Sequence, residues 1–413
     1  MSLHSQIRNR YAFPDTPAIE LRAFTHGLMP KTVPKMMQQF AEDWQKYGVD
    51  AWNHIPNHWK PAANEKVGWW NLPDYLGDAF IAPLLHAPLG TCIMMPNAHT
   101  AITGLMSCNH LFETRKKVVV SADAFPSALF PIYQWAELYG LHIEVVPLAP
   151  DGFTDQKAIL TAISTDTALV VLTHVGFTTS EVLSHDFVRE VAQKTHHNGG
   201  LLVVDGYHAT GAVPTYVEEM EADFYVGGLL KEASGSSGNG YLYIRPELDL
   251  KPRTAGWFAD AEPFSFNHTP MWHPQVRRRF LGGTTAVAPL YHAVEGLKIL
   301  LEMGIPAVRQ YSLALTEHAL MRAKELHLRL RSPMQDTNRG PMVILEMEHA
   351  DKMCHFLKQH GLFTDSRKGQ LLRFAPFVWN HDTELDRLFD VLGSALKSKT
   401  YLQTELASEG PVT

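Results

Sequence analysis

From about residue 90 the chain alternates uninterrupted apolar runs with helix-length amphipathic stretches, and this rhythm constrains the fold more than any other feature of the sequence. The run CIMMPN precedes the helix-like AHTAITGLMSCNHLF, KVVVSADAF precedes PSALFPIYQWAELYG, and ALVVLTHV precedes HDFVREVAQKTHH, after which comes LLVVDG. Apolar runs without alternation read as strands buried on both faces. Strands that alternate with helices predict an α/β architecture, a mostly parallel sheet covered on both sides. Ligands of such sheets sit beyond the carboxyl ends of the strands. The last run ends there on a carboxylate, Asp205.

Beyond FLGGTTAVAPLYHAVEGLKILLEMGI the rhythm changes. A long helix is expected to start near Ala286 and lead into a second, PAVRQYSLALTEHALMRAKELHL. MVILEME, ADKMCHFLKQHG, LLRFAP and TELDRLFDVLGSALKS then read as a small α+β unit. The expected organisation is an N-terminal arm and helix over 1–60, a large domain over 61–288 and a small C-terminal domain over 289–413. The tail ASEGPVT reads as frayed.

Charge and composition remove several classes of function. Lys and Arg number 36 against 43 Asp and Glu, a net charge of −7, whereas nucleic-acid and anionic-membrane surfaces concentrate positive charge. No apolar run approaches transmembrane length and the opening residues carry no secretory apolar core, so the expected location is cytoplasmic. The three cysteines, Cys92, Cys108 and Cys354, lack the spacing of a disulfide framework or a zinc site and read as reduced and buried.

After Asp205 the next lysine is Lys231, the only one between Lys194 and Lys251. Taken singly, these residues are an N-capping acid and a surface lysine. Taken together they suit pyridoxal phosphate: the acid keeps a pyridine nitrogen protonated so that the ring withdraws electrons, and the amine holds the aldehyde as a Schiff base. The phosphate needs a cradle, and PNAHTAITGL supplies one. Pro96 and Asn97 close a strand and leave the amides of Ala98, His99 and Thr100 at a helix N-terminus, with the Thr100 hydroxyl as a further donor. Without other support the same stretch is a simple Asn cap.

Other features read as structural. GSSGNG, Gly235 to Gly240, lacks nucleotide-binding spacing and reads as a flexible turn. His54 and His58 have helical ligand spacing, but Pro56 and Asn57 between them mark a turn, so no metal site is expected. His196 and His197 suit a helix C-terminus. Arg277, Arg278 and Arg279 read as a solvated face.

In order along the chain these segments resemble the class V aminotransferase group of fold-type I pyridoxal-phosphate enzymes, and within it kynureninases. GLMPKTVPKMMQQFAEDWQKYG is similar to the kynureninase N-terminal region, NAHT to the phosphate-binding turn, AFPS to the segment whose phenylalanine stacks on the cofactor, and DGYHATGAVP to the D-x-x-H-A-x-G segment. The resemblance implies a large, mostly parallel seven-stranded sheet domain with a small C-terminal α+β domain. It implies His99 and Thr100 on the phosphate, Phe125 on the ring, Asp205 on the pyridine nitrogen with His208 close by, and Lys231 as the attachment point. AGWF and GGTT imply that Trp257 and Thr284 reach a partner's phosphate in a homodimer with composite sites. LRFAP implies Arg373 on the substrate carboxylate.

The chain also departs from kynureninases. Leu230 stands where they carry a tyrosine before the lysine, Phe177 and Thr178 stand where they carry paired tyrosines near the phosphate, and their asparagine is replaced within GGTT. These departures remove acid–base groups, so kynurenine itself is expected to be a poor substrate. DSRKGQLLRF holds no cysteine for the persulfide route of cysteine desulfurases. The expectation is therefore an enzyme that converts an α-amino acid by transamination or by cleavage or elimination at the β-carbon. The alternatives are a true kynureninase that hydrolyses kynurenine to anthranilate and alanine, and a non-catalytic binding protein on the same fold.

Overall fold

A computed structural model describes residues 3–14, 18–60 and 65–406, so the tail read as frayed lies outside the described residues. Helix α1 (Val33–Tyr47) leads to the main sheet. Its strands are β1 (Cys92–Met95), β2 (Lys117–Ser121), β3 (His142–Val146), β4 (Thr167–Thr173), β5 (Leu201–Asp205), β6 (Phe224–Gly228) and β7 (Gly240–Ile244). The spatial order is β1-β7-β6-β5-β4-β2-β3, with only β7 antiparallel to its neighbours. Helices α2 (Ala98–Met106), α3 (Pro126–Tyr139) and α4 (His185–His197) connect the strands.

Every residue of β4 is buried because both faces of the sheet are covered. Alternation along the strands feeds two separate cores. Val119, Val170, Leu202 and Val204 pack on one side, and Val118, Val120, Val171 and Val203 on the other. The edge strand β3 has mixed burial, which is why no apolar run announced it.

The expected long helix near Ala286 is broken into Val287–His292 and Glu295–Met303, and Gly304 at φ 81° separates it from α5 (Ile305–Glu325). Strands β8 (Arg329–Leu330), β9 (Val343–Glu346), β10 (Asp365–Arg367) and β11 (Leu371–Phe374) form an antiparallel sheet in the order β8-β9-β11-β10, packed with α6 (Ala350–Gln359) and α7 (Asp382–Ser398) around a third core. Ile19–Glu20 pairs in parallel with Leu362–Phe363 as a separate two-stranded sheet, so the N-terminal segment is tied to the C-terminal part of the chain.

Two readings are corrected. Arg277, Arg278 and Arg279 are not a solvated face; all three are buried. Arg277 meets Asp78 at 2.6 and 2.9 Å, Arg278 meets Asp74 at 2.9 Å, and Arg279 meets Asp249. The partner carboxylates come from distant segments, which a local reading cannot see. The GSSGNG turn is not loose either: the Asn239 amide donates to the Gly235 and Pro289 carbonyls at 2.7 and 3.1 Å.

Candidate active site

The floor of the site is made where β4 and β5 end side by side. Thr173 is in register with Asp205, and residues in register on parallel strands present their side chains to the same face. Asp205 is 6% exposed, and its Oδ1 accepts the Tyr207 amide at 2.9 Å, so the turn after β5 folds back on its own carboxylate. The Thr173 hydroxyl is buried with no hydrogen-bond partner among the described residues. Lys231 follows β6 after a short turn, and its Nζ lies 2.6 Å from His208 Nε2.

Burial governs the ionisation of these groups. It holds the Lys231 amine below the usual lysine range, with Glu232 and Asp205 acting in the opposite direction. Burial, followed by the charges of Lys231, Arg373 and Arg367, pushes His208 well below its ordinary value, so its ring is neutral and can accept a hydrogen bond from the amine. Burial raises Asp205, opposed by the Tyr207 amide and the Lys231 charge.

The wall comes from the β10–β11 hairpin. Arg373 is 1% exposed, and the rings of Phe24 and Phe177 lie 4.8 and 4.7 Å from its guanidinium carbon. Its Nη1 donates to the Phe177 carbonyl at 2.9 Å, its Nη2 to Asp365 Oδ2 at 3.2 Å, and its Nε has no partner among the described residues. Asp365 also accepts from Arg367 at 2.5 Å and from the Thr25 hydroxyl at 3.3 Å.

Floor and wall enclose a cavity of about 560 Å³ that brings together Asp205, His208, Lys231, Phe125, His99 and Arg373. The N-terminus of α2 opens into it through Asn97, Ala98 and His99. Thr100 lies one step back, its amide and hydroxyl both held by Asn97 Oδ1 at 2.8 and 3.0 Å. The amides of Ala98 and His99 open the helix and have no helical carbonyl to meet. Trp257 and Thr284 are exposed outside this cavity, and the Trp257 indole donates to the Pro263 carbonyl at 2.6 Å.

The structure adds Phe24, Thr25, Ser127, Thr173, Tyr207 and Arg367 to the lining. Tyr207 was within reach of the sequence, inside the DGYHATG segment, whereas Phe24 and Thr25 arrive from a remote part of the chain. Phe177 lies against Arg373, and the Thr178 hydroxyl donates to Asp123 at 2.7 Å, so neither offers an acid to the cavity.

A helix N-terminus, a flat aromatic wall, a half-buried amine and a buried acid in one cavity fit a phosphorylated pyridine aldehyde. The chain matches the Aminotransferase class-V family over residues 81–370. It is 25% identical over 388 residues to the kynureninase of Geobacillus thermodenitrificans, covering 91% of this chain and 87% of that protein. Its fold is similar to that of an apo cysteine desulfurase from Thermococcus onnurineus NA1, with a TM-score of 0.81 and 18% identity over 96% of this chain and 99% of that one. It is also similar to C-DES bearing glycine covalently linked to the PLP cofactor, with a TM-score of 0.77 and 16% identity over 92% and 99%. Matched over most of its length and sharing this fold, the chain belongs to the class-V aminotransferase family of fold-type I pyridoxal-phosphate enzymes.

Proposed function

We propose that this chain converts an α-amino acid, with Lys231 as the residue that carries the cofactor and moves the substrate's α-proton. The observation that carries the reading is a half-buried amine and a buried carboxylate, Lys231 and Asp205, in one cavity with the partly unpaired guanidinium of Arg373. Pyridoxal phosphate, when bound, withdraws electrons from the α-carbon of an amino acid and so weakens the bonds around it. Ala98 and His99 would hold its phosphate, Phe125 its ring, Asp205 its protonated nitrogen, and Thr173 offers one further hydroxyl.

Each remaining role belongs to a named side chain. Arg373 binds the substrate carboxylate through its unpartnered Nε edge, which sets the α-carbon toward Lys231. The lowered basicity of Lys231 leaves a larger neutral fraction near pH 7, the form that accepts a proton. The neutral His208 ring accepts from the amine and orients it. Two arginines against one aspartate leave a single positive charge on the wall, which one carboxylate neutralises. With Phe24, Phe125, Phe177 and Leu230 around it, this balance favours a substrate side chain without charge.

The exposed positions of Trp257 and Thr284 support a homodimer in which each chain completes its partner's site. Among the described residues no helix is long and apolar enough to cross a membrane, and three buried free thiols suit the reducing cytoplasm.

Transamination, elimination and β-carbon cleavage share the α-proton transfer. The cavity residues Leu230 and Phe177 lack a proton donor for the later step of kynurenine cleavage, so some other amino acid should be turned over faster. Mass spectrometry of products from an amino-acid panel, with and without a keto-acid acceptor, checks this. Kynurenine as the best substrate, with stoichiometric alanine, would show that a different acid–base set does the work.

A further inference from the structure

The turn between β6 and β7 places two ionisable residues next to one another. Lys231 lines the cavity, whereas Glu232 is 0% exposed and lies outside that lining. Neither carboxyl oxygen of Glu232 has a hydrogen-bond partner among the described residues. A carboxyl buried in this state costs stability that an apolar side chain of similar length would not.

The turn is held on several sides. The Gly27 amide donates to the Leu230 carbonyl at 3.0 Å, the Ser234 amide to the Lys231 carbonyl at 2.8 Å, and the Leu229 amide to the Asn239 carbonyl at 2.8 Å. A methyl group at Gly27 would fall 2.1 Å from the Lys231 carbonyl oxygen, and one at Gly296 would fall 2.2 Å from that of Ala233. The N-terminal segment and the helix Glu295–Met303 therefore both close on the backbone that carries the amine and the carboxyl.

The other charges near this turn have their own places. Asp205, His208, Arg367 and Arg373 line the cavity with the amine. The helix packed through Gly296 carries Glu295, paired with Lys298 at 2.8 Å, and His292 lies just before it; His26 beside Gly27 is exposed. Among the charges that act on Lys231, that of Glu232 is the strongest, and it opposes the burial that lowers the amine's basicity. The Lys231 charge acts in turn to favour the ionised carboxyl, so each stabilises the other.

We propose that Glu232 is a positioning residue for the Lys231 proton, a sealed counter-charge that lets the amine keep a proton it has taken from the substrate. The inference rests on Lys231 being the amine that moves the α-proton. A base works best when it both takes and returns a proton near neutral pH. Burial alone leaves Lys231 a poor holder of positive charge, and a carboxylate in the same low-dielectric surroundings offsets this.

The test uses the full-length apoenzyme. Trace acetylation with acetic anhydride from about pH 5 to about pH 10, followed by mass spectrometry of the Lys231 peptide, reads the pH at which the amine becomes reactive. Glu232→Gln should lower that pH by about one, whereas Glu232→Asp, which keeps the charge, should stay near the unaltered chain. Glu232→Met should lower it as Glu232→Gln does, which keeps the proposal testable if the amide variant folds poorly. An unchanged amine in both neutral variants, or an equal fall in Glu232→Asp, would overturn the role of Glu232 alone. Attachment of the cofactor to a lysine other than Lys231 would overturn the reading of Lys231 and this inference with it.

Discussion

Two buried carboxylates bracket the cavity, and the protein treats them in opposite ways. Asp365, on the wall, is fully committed inside the protein: it holds Arg367, Arg373 and the Thr25 hydroxyl. Asp205, on the floor, accepts one backbone amide and makes no ion pair among the described residues, with that amide and the Lys231 charge acting against the cost its burial imposes. A buried acid without a paired cation carries its charge at a cost that a bound cationic group lowers. The difference separates a group kept free for chemistry from one spent on holding a binding group in place.

Asp205→Asn should have the largest effect. The neutral amide cannot hold a proton on a pyridine nitrogen, so the loaded variant should keep its cofactor yet lose kcat by about 10²–10⁴-fold with little change in KM. Near-normal kcat would break the distinction between floor and wall.

Asp365→Asn should act on the other quantity. Without the shared carboxylate, Arg373 loses an anchor and Arg367 and Arg373 repel one another. KM should rise by about tenfold or more while kcat changes little. A loss confined to kcat would place Asp365 with the chemistry.

A third carboxyl sharpens the comparison at smaller scale. Glu232 is fully buried and neither of its oxygens has a hydrogen-bond partner among the described residues. Burial raises its pKa, with Lys231 acting against the shift. Above the unfolded value near 4.5 the folded chain keeps a proton that the unfolded chain has lost, so stability falls as pH rises toward the folded value. Glu232→Gln removes that loss. Its Tm should exceed that of the unaltered chain near pH 7, and the gap should close toward pH 4. Equal Tm values across this range would remove the argument.

The floor was legible in the sequence and the wall was only partly so, for a physical reason. Asp205, His208 and Lys231 belong to one strand–turn–strand stretch, where an apolar run ending on an acid and one isolated lysine are visible locally. Arg373 could be read only through its resemblance to a known motif. Its neighbours Phe24, Thr25 and Phe177 arrive from separate parts of the chain, and their role exists only after the two sheets meet. The same limit explains Arg277 to Arg279, whose charges look solvated until Asp74, Asp78 and Asp249 fold against them. Thr100 shows the reverse case: its donors were foreseen, but Asn97 takes them for the helix cap.

The central claim is that Lys231 carries the cofactor. Borohydride reduction of the holoenzyme followed by peptide mapping tests it most directly. The account predicts a pyridoxyl group on Lys231 in stoichiometric amount; a pyridoxyl group on another lysine, or none after loading, would contradict it.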